Sequence, residues 1–480
     1  MLSGTTLESL KTELTREISL QTKADNLLTN PLAIRATMKP HQLPQNIDSE
    51  FVVRRSRGAD LDALIDFNCK IHHFVPNAHA SIAAMTRDLL QSRCPGVTED
   101  AFSLILERSS GKIVSAMAFI PQTWNYDGIA FGVGRPELVG TDRAFRGQGL
   151  VRHQFELFHQ WCALHNLNVQ AITGIPFFYR QFGYEFAAPS GGGRMAFAPQ
   201  QLPVLEPNTC ESFVFRIATI ADLTWIAANY QRGCERYLLS TQRSNDDWCY
   251  ELEGKDILNI HKVETWVIQL TDGDPVGFLL CHKATGADAN KLAFWYDLVP
   301  GFHWRQVTPA ALRFLHQRGQ YDAAHWGDSS LGVGLALGED HPAYESAGEW
   351  LPNRLDSGAW YIRMADVSEF LRRIVPVLQK RLAQTEFNDF SGDLRLSNYH
   401  GGTRVSIQQG EIVAVEAYRP QDWEDTDAAF VNQSWLQLLL GFRSLLDLQY
   451  AYPDCWCKPT KMTLLNVLFP RAASNIWGLA

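Results

Sequence analysis

No apolar run in these 480 residues approaches the roughly 20 needed to cross a bilayer, and the N-terminus mixes Glu, Lys and Thr where a signal peptide would carry an apolar core. A soluble, cytoplasmic chain with no membrane partner is expected. Positive charge is not in excess either: the formal charge is -9, which argues against a general nucleic-acid binder and favours a cationic small molecule as partner. The nine cysteines have no regular spacing, so no disulfide framework is expected and a reducing compartment fits better. Cys455 and Cys457 form a C-x-C pair, but no second Cys or His cluster stands at zinc spacing, and no metal is expected.

What is present is apolar content of 46% with 20% charge, enough for about three domains with cores of their own. Residues 1–50 read as an extension: an amphipathic stretch, LESLKTELTREISL, then a polar linker. From Phe51 the chain repeats itself. FVVRRSRGADLDALIDF at Phe51 aligns with FVFRIATIADLTWIAAN at Phe213, an offset of 162, matching Arg54 to Arg216, Asp60 to Asp222 and Leu61 to Leu223. Each copy opens with a strand, an Asp at a helix N-cap and an apolar-periodic helix, and continues into a hairpin turning at Ser110-Gly111 or Asp272-Gly273. After about residue 367 a helix, three short strands and further helical segments predict a third, α+β domain.

The chemistry-bearing stretch is TDRAFRGQGLVRHQF, from Thr141 to Phe155. It sits between a short strand, ELVGTD, and a helix whose face is predicted as Leu150, Leu157, Phe158, Trp161 and Leu164. A helix N-terminus offers free N–H groups, Gly147 and Gly149 let a phosphate approach the backbone, and Arg146 adds a charge-assisted contact. A tight glycine turn with a solvated Arg is the competing reading. A strand LNVQAITG and then IPFFYRQFGYEF follow the helix.

Here the chain resembles the GNAT superfamily of acyl-CoA-dependent N-acetyltransferases, in which an R/Q-x-x-G-x-G/A loop holds the pyrophosphate of acetyl-CoA and a Y-x-x-x-G-Y/F segment closes the site. The loop here is Arg146-Gly147-Gln148-Gly149-Leu150-Val151, with Val151 replacing the last small residue, and the later segment is Tyr179 to Tyr184. Two such copies and an α+β tail resemble the enhanced intracellular survival (Eis-like) family. After the extension at 1–50, that resemblance covers roughly residues 51–480 and implies an acetyl-CoA-binding GNAT domain at 51–205, a degenerate GNAT-like domain at 206–366 and a sterol-carrier-protein-like domain at 367–480. It also implies a homo-oligomer, a hexamer in that family. The second copy offers LVPGFHWRQVTPA where the loop should lie, yet keeps Tyr344 and Gly348 as an echo of Tyr179 and Gly183.

Transfer of an acetyl group from a thioester to an amine requires a neutral amine, a polarised carbonyl and a proton for the departing thiolate. Backbone N–H groups along Leu138, Val139 and Thr141 are candidates to polarise the carbonyl. The resemblance makes Tyr179 the general acid and the C-terminal carboxylate, here that of Ala480, the base, with Glu137 as competitor. A buried core tyrosine and a surface glutamate are the plainer alternatives. His72 and His73 read as a polar helix end, and the Trp-rich stretches as core. The expected activity is acetyl-CoA-dependent acetylation of a small, cationic primary amine. An acyltransferase using protein lysine or a longer acyl-CoA, and a non-catalytic acyl-CoA or lipid-binding module, are the alternatives.

Overall fold

The computed structural model describes residues 43–73, 78–197, 202–283, 290–326, 332–422 and 424–478. The amphipathic N-terminal stretch and Ala480 lie outside the described residues. In the first copy the strands are β1 (Gln45–Asn46), β2 (Phe51–Arg55), β3 (Phe102–Glu107), β4 (Ile113–Tyr126), β5 (Ile129–Thr141), β6 (Val169–Thr173), β7 (Glu185–Ser190) and β8 (Gly193–Ala196). Helices Leu61–Ile71 and Ala78–Leu90 follow β2, and Leu150–Leu164 joins β5 to β6. The hairpin between β3 and β4 turns where Gly111 takes φ 70°. The expected short strand ELVGTD is the end of a 13-residue strand.

The second copy supplies β9 (Phe213–Ile217), β10 (Leu239–Thr241), β11 (Val263–Leu270), β12 (Pro275–His282), β13 (Lys291–Leu298), β14 (Val333–Leu335), β15 (Asn353–Leu355) and β16 (Gly358–Met364). Its long helix, Trp304–Trp326, stands where Leu150–Leu164 stands in the first. The repeat is visible in a shared ion pair. Arg54 Nη1 lies 2.7 Å from Asp60 Oδ2, and Arg216 Nη2 lies 2.7 Å from Asp222 Oδ1. The two aspartates precede their helices as predicted, but their carboxylates make no helix cap. They accept instead from the backbone N–H of Arg57 or Thr219, both at 2.9 Å, closing the 3-10 turn before each helix.

The sheets exchange strands. The first runs β1-β2-β3-β4-β5-β6-β16-β7, with β10 on the end of β4; the second runs β15-β8-β14-β13-β12-β11-β9. The last strand of each copy is therefore inserted into the sheet of the other. β16 pairs antiparallel with β6 (Trp360 opposite Thr173) and with β7, while β8 does the same with β14 and β15.

The third unit has a five-stranded sheet, built from β17 (Gly392–Ser397), β18 (Gly402–Gln408), β19 (Glu411–Tyr418), β20 (Ala428–Ala429) and β21 (Trp456–Cys457) in the order β19-β18-β17-β20-β21. A final strand, β22 (Ser474–Asn475), returns to the first sheet through β10. The helix predicted from Val367 breaks at Ile374 into Val367–Arg373 and Val375–Ala383, because Pro376 has no N–H with which to continue the first helix's hydrogen-bond ladder. WLQLLLGFRSLLDL likewise splits at Gly441, φ 69°. The unit is not free-standing: Phe370 packs edge-on to Phe131 (5.2 Å) and Tyr126 (5.8 Å), and the Tyr126 hydroxyl donates to the Leu439 carbonyl at 2.9 Å.

One predicted face is corrected. Helix Leu150–Leu164 buries Leu150, Gln154, Phe155, Leu157, Phe158 and Cys162, whereas Leu164 is 59% exposed. The stripe at 3.6 residues per turn drifts from 161 to 162, so the last turn presents Cys162 inward and Leu164 outward. Cys455 and Cys457 are buried free thiols, and no His, Cys, Asp and Glu cluster able to hold a metal occurs among the described residues. No described helix is long and apolar enough to cross a membrane.

Candidate active site

β5 and β6 run parallel and pair only at Val133 with Val169 and Gly134 with Gln170. Beyond that point β5 leaves its neighbour, and the half of its backbone groups that point away from β4 meet no strand among the described residues. A bulge sharpens the divergence. The register with β4 slips between Ala116 and Ala118, and Leu138 is buried with φ 48°, a conformation rare for a bulky side chain and one that re-aims the backbone at this point. Among the predicted backbone donors, Leu138 and Val139 are thus on the bulge, and Thr141 ends the strand. The Thr141 hydroxyl itself is engaged with Ser115 Oγ at 2.8 Å, and Ser115 accepts from Gln154 Nε2 at 3.0 Å, tying the strand end to the following helix.

From Thr141 the chain makes a 3-10 turn, Arg143–Phe145, capped by the Asp142 carboxylate, which accepts from the Ala144 N–H at 3.2 Å. Lys70 Nζ lies 2.6 Å from that carboxylate and, with lesser contributions, holds it below the usual carboxylate range. Arg146 is extended and exposed, and Gly147 (φ 80°) and Gly149 (φ 78°) are both left-handed. A Cβ on either would meet nothing within 4 Å, so these glycines are required by backbone conformation, and the space before them is open. Gly149 is the N-cap of helix Leu150–Leu164 and has no side chain to cap it, leaving first-turn donors such as the Leu150 and Val151 N–H groups to the cradle with Gln148 beside them. Loop, dipole and Arg146 fit a pyrophosphate.

Across the divergence stands Tyr179, in the 3-10 turn Phe178–Phe182 that ends at Gly183, φ 84°. Its ring is 95% buried, packed at 6.1 Å from Phe155 and 5.7 Å from Tyr361. Burial and, secondly, the charge of Glu137 push the phenol up from its ordinary value. Glu137 is half-buried and pairs with Arg135 two residues earlier on the same face of the strand, Nη2 to Oε2 at 2.5 Å. Tyr361 comes from the exchanged β16, and its hydroxyl accepts from the Phe177 N–H at 2.9 Å, so the second copy braces the turn that carries Tyr179.

Residues not foreseen also converge here. His72, predicted as a polar helix end, is buried beside Glu137 and the Leu138 backbone, and a Cβ on Gly140 would fall 3.3 Å from its Nε2. Burial pulls its ring below the usual imidazole value, so it is neutral at pH 7. The buried Arg135 guanidinium stacks on Trp360 of β16 at 5.0 Å. A charged i, i+2 pair inside the apolar stretch FGVGRPELVG was a signal for Arg135; nothing in the sequence placed Trp360 or Tyr361 beside it.

The second copy closes what the first leaves open. Tyr344 hydroxyl accepts from the Leu337 N–H at 2.9 Å and faces the carbonyls of Gly338 (2.8 Å) and Leu335 (3.2 Å), so backbone groups occupy it fully. Before its long helix, the His303 N–H goes to Gln306 Oε1, and Trp304 packs between Tyr296 and His341.

Residues 53–187 match the acetyltransferase (GNAT) domain. Together with the fold, that match supports an acyltransferase enzyme. Three solved structures are similar along nearly their whole length. A probable N-acyltransferase from Enterococcus faecalis V583 has 12% identity, with 89% of this chain and 100% of that one covered at TM-score 0.58. A GCN5-related N-acetyltransferase from Anabaena variabilis has 13% identity over 89% and 98%, at 0.56. Eis1 from Mycobacterium abscessus has 14% identity over 90% and 99%, at 0.55. At such identities the likeness is one of fold: GNAT-type mixed sheets flanked by helices. No curated protein matches the chain in sequence.

Proposed function

We propose that the GNAT domain transfers an acetyl group from acetyl-CoA directly to a primary amine of a small, cationic acceptor. The observation that carries this reading is the contrast between the copies. In the first, the glycine cradle is open and the Tyr179 hydroxyl, which accepts from the Ile175 N–H, lies buried beside Gly174 and Glu137; in the second, Tyr344 is spent on three backbone groups, two of them carbonyls.

The loop Arg146–Gly149 and the first-turn N–H groups, including those of Leu150 and Val151, would hold the pyrophosphate. The freed β5 backbone from Leu138 to Thr141 would orient the pantetheine arm and polarise the carbonyl. The co-substrate supplies a thioester: its C–S bond breaks as the amine nitrogen forms the new C–N bond. Tyr179, whose raised pKa keeps the phenol protonated at neutral pH, gives its proton to the departing thiolate. Glu137, fixed by Arg135, takes the proton of the attacking amine, directly or through one water; the alternative base, the carboxylate of Ala480, lies outside the described residues. A site that acetylates a cation suits a chain with a formal charge of -9.

Gly149→Asp tests the cradle. It places bulk and negative charge where an anion should sit and forces a left-handed φ on a side chain. Calorimetry should show acetyl-CoA binding weakened by at least about a hundredfold, with the folded state retained. Unchanged affinity in the folded variant would remove the proposal.

A further inference from the structure

The segment Ser474–Gly478 reaches the candidate active site, but what holds it there is the second copy. β22 pairs in parallel with β10, which in turn pairs with the Trp124–Tyr126 end of β4. Trp477 is 7% exposed, within a cluster containing Tyr230, Trp248 and Trp295, with Phe294 at 5.4 Å. The Arg243 guanidinium lies 3.6 Å from the centroid of the Trp477 ring and 4.5 Å from that of Trp248. Its side chain is 1% exposed. Arg243 Nη2 is 3.6 Å from Glu251 Oε2, which also binds Lys255 Nζ at 2.8 Å. Thr241 Oγ1 donates to the Trp477 carbonyl at 2.8 Å.

One residue further, the chain lies on the catalytic side. A Cβ built on Gly478 would come 2.8 Å from Arg135 Nη1 and 3.2 Å from the Trp360 ring, so a side chain there would have to displace the Arg135 guanidinium. The other terminal nitrogen of Arg135 binds Glu137. A cation buried between two indole rings is attracted to their faces and cannot leave without a partner. It therefore fixes the position of Trp477, and with it the position of Gly478.

We infer that the second copy, having lost its glycine loop, serves as a clamp that seats residues 474–478 on the Arg135–Glu137 pair and shields that pair from water, with Arg243 as its positioning residue. Arg243 touches no reacting atom; it acts through Trp477 and Gly478. The catalytic consequence rests on the reading of Tyr179 and Glu137 as the transfer site, whereas the clamp itself can be tested without it.

The test is hydrogen exchange on the full chain, comparing wild type with Arg243→Met, which keeps the apolar stem and removes the charge while Glu251 retains Lys255. Exchange of amides at 474–478 and at 134–138 should rise together by at least about tenfold, while those of β18 and β19 stay unchanged. In acetyl transfer, kcat should fall at least about tenfold with acetyl-CoA affinity within about twofold of wild type, a split that general loosening would not give. Continued protection of 474–478 overturns the role of Arg243. Release of 474–478 with 134–138 still protected overturns the shielding. Should Arg243→Met fail to fold, Thr241→Val removes only the bond to the Trp477 carbonyl and carries the same expectation with a smaller rise. A wild type that binds no acetyl-CoA would defeat the proposed function yet leave the exchange result to decide the clamp.

Discussion

At the scale of single residues, Tyr179 and Tyr344 show how one motif position can be kept and its chemistry lost. Tyr179 is buried and Tyr344 partly so, and burial pushes both phenols up. Each oxygen accepts from one backbone N–H, that of Ile175 or of Leu337; they differ in what else it meets, the Leu335 and Gly338 carbonyls for Tyr344 and the side of the site facing Glu137 for Tyr179. The difference predicts unequal variants. Tyr179→Phe should lower kcat by roughly a hundredfold to ten-thousandfold with acetyl-CoA affinity unchanged, as loss of a general acid does. Tyr344→Phe should leave kcat near wild type and lower stability by about 1–3 kcal/mol, because buried backbone groups lose their partner. Equal turnover of wild type and Tyr179→Phe in a steady-state assay would return Tyr179 to the core.

At the scale of elements, the best-read feature is the doubled strand-to-helix entry. Arg54 with Asp60 and Arg216 with Asp222 were aligned by sequence alone, and the same bidentate pair appears at both places. The Arg216 side-chain hydrogen bond is the largest cause that lowers Asp222, to about 2. Since the folded value lies under the unfolded value near 3.8, the unfolded chain takes up the proton first as pH falls. The pair's stabilisation is thus complete above pH 3.8 and is lost as pH drops through about 2. Asp222→Asn should accordingly lower stability by roughly 1 kcal/mol at pH 7 and by only a small part of that near pH 2, read from urea unfolding at both pH values. An equal loss at both would assign the effect to the turn backbone instead. The hairpin at Gly111, the cradle at Gly147 and Gly149, and the third-unit strands were legible for the same reason: each is local, set by alternation or by glycine. His72 was not, because a helix end beside a polar pair reads as solvated until the β5 bulge is folded over it.

At the scale of the whole molecule, legibility stops at the exchange of β8 and β16, since pairing between residues 137 (Ala196 with Val333) to 195 (Val169 with Met364) apart leaves no periodicity in either strand. That exchange decides whether the copies are separable. β16 buries Trp360, Tyr361, Ile362 and Met364 in the first sheet, and at about 1.5–3 kcal/mol per large apolar side chain their loss would remove roughly 6–12 kcal/mol. A whole domain is stable by only about 5–15 kcal/mol. A fragment of residues 43–205 also loses the Tyr361 brace on Phe177, the Trp360 stack on Arg135 and the packing of Phe370 on Phe131. It should therefore fail to form a cooperative monomer, although it holds every loop residue assigned to acetyl-CoA. Co-expressed with 206–480 it should be rescued, because the break falls in the connection between β8 and β9, outside every sheet. The expected outcome is a one-to-one complex that co-purifies and binds acetyl-CoA with about wild-type affinity. A 43–205 fragment that is monomeric, melts cooperatively and binds acetyl-CoA by itself would show that the exchanged strand is dispensable, and the second copy would then need another reason to be kept.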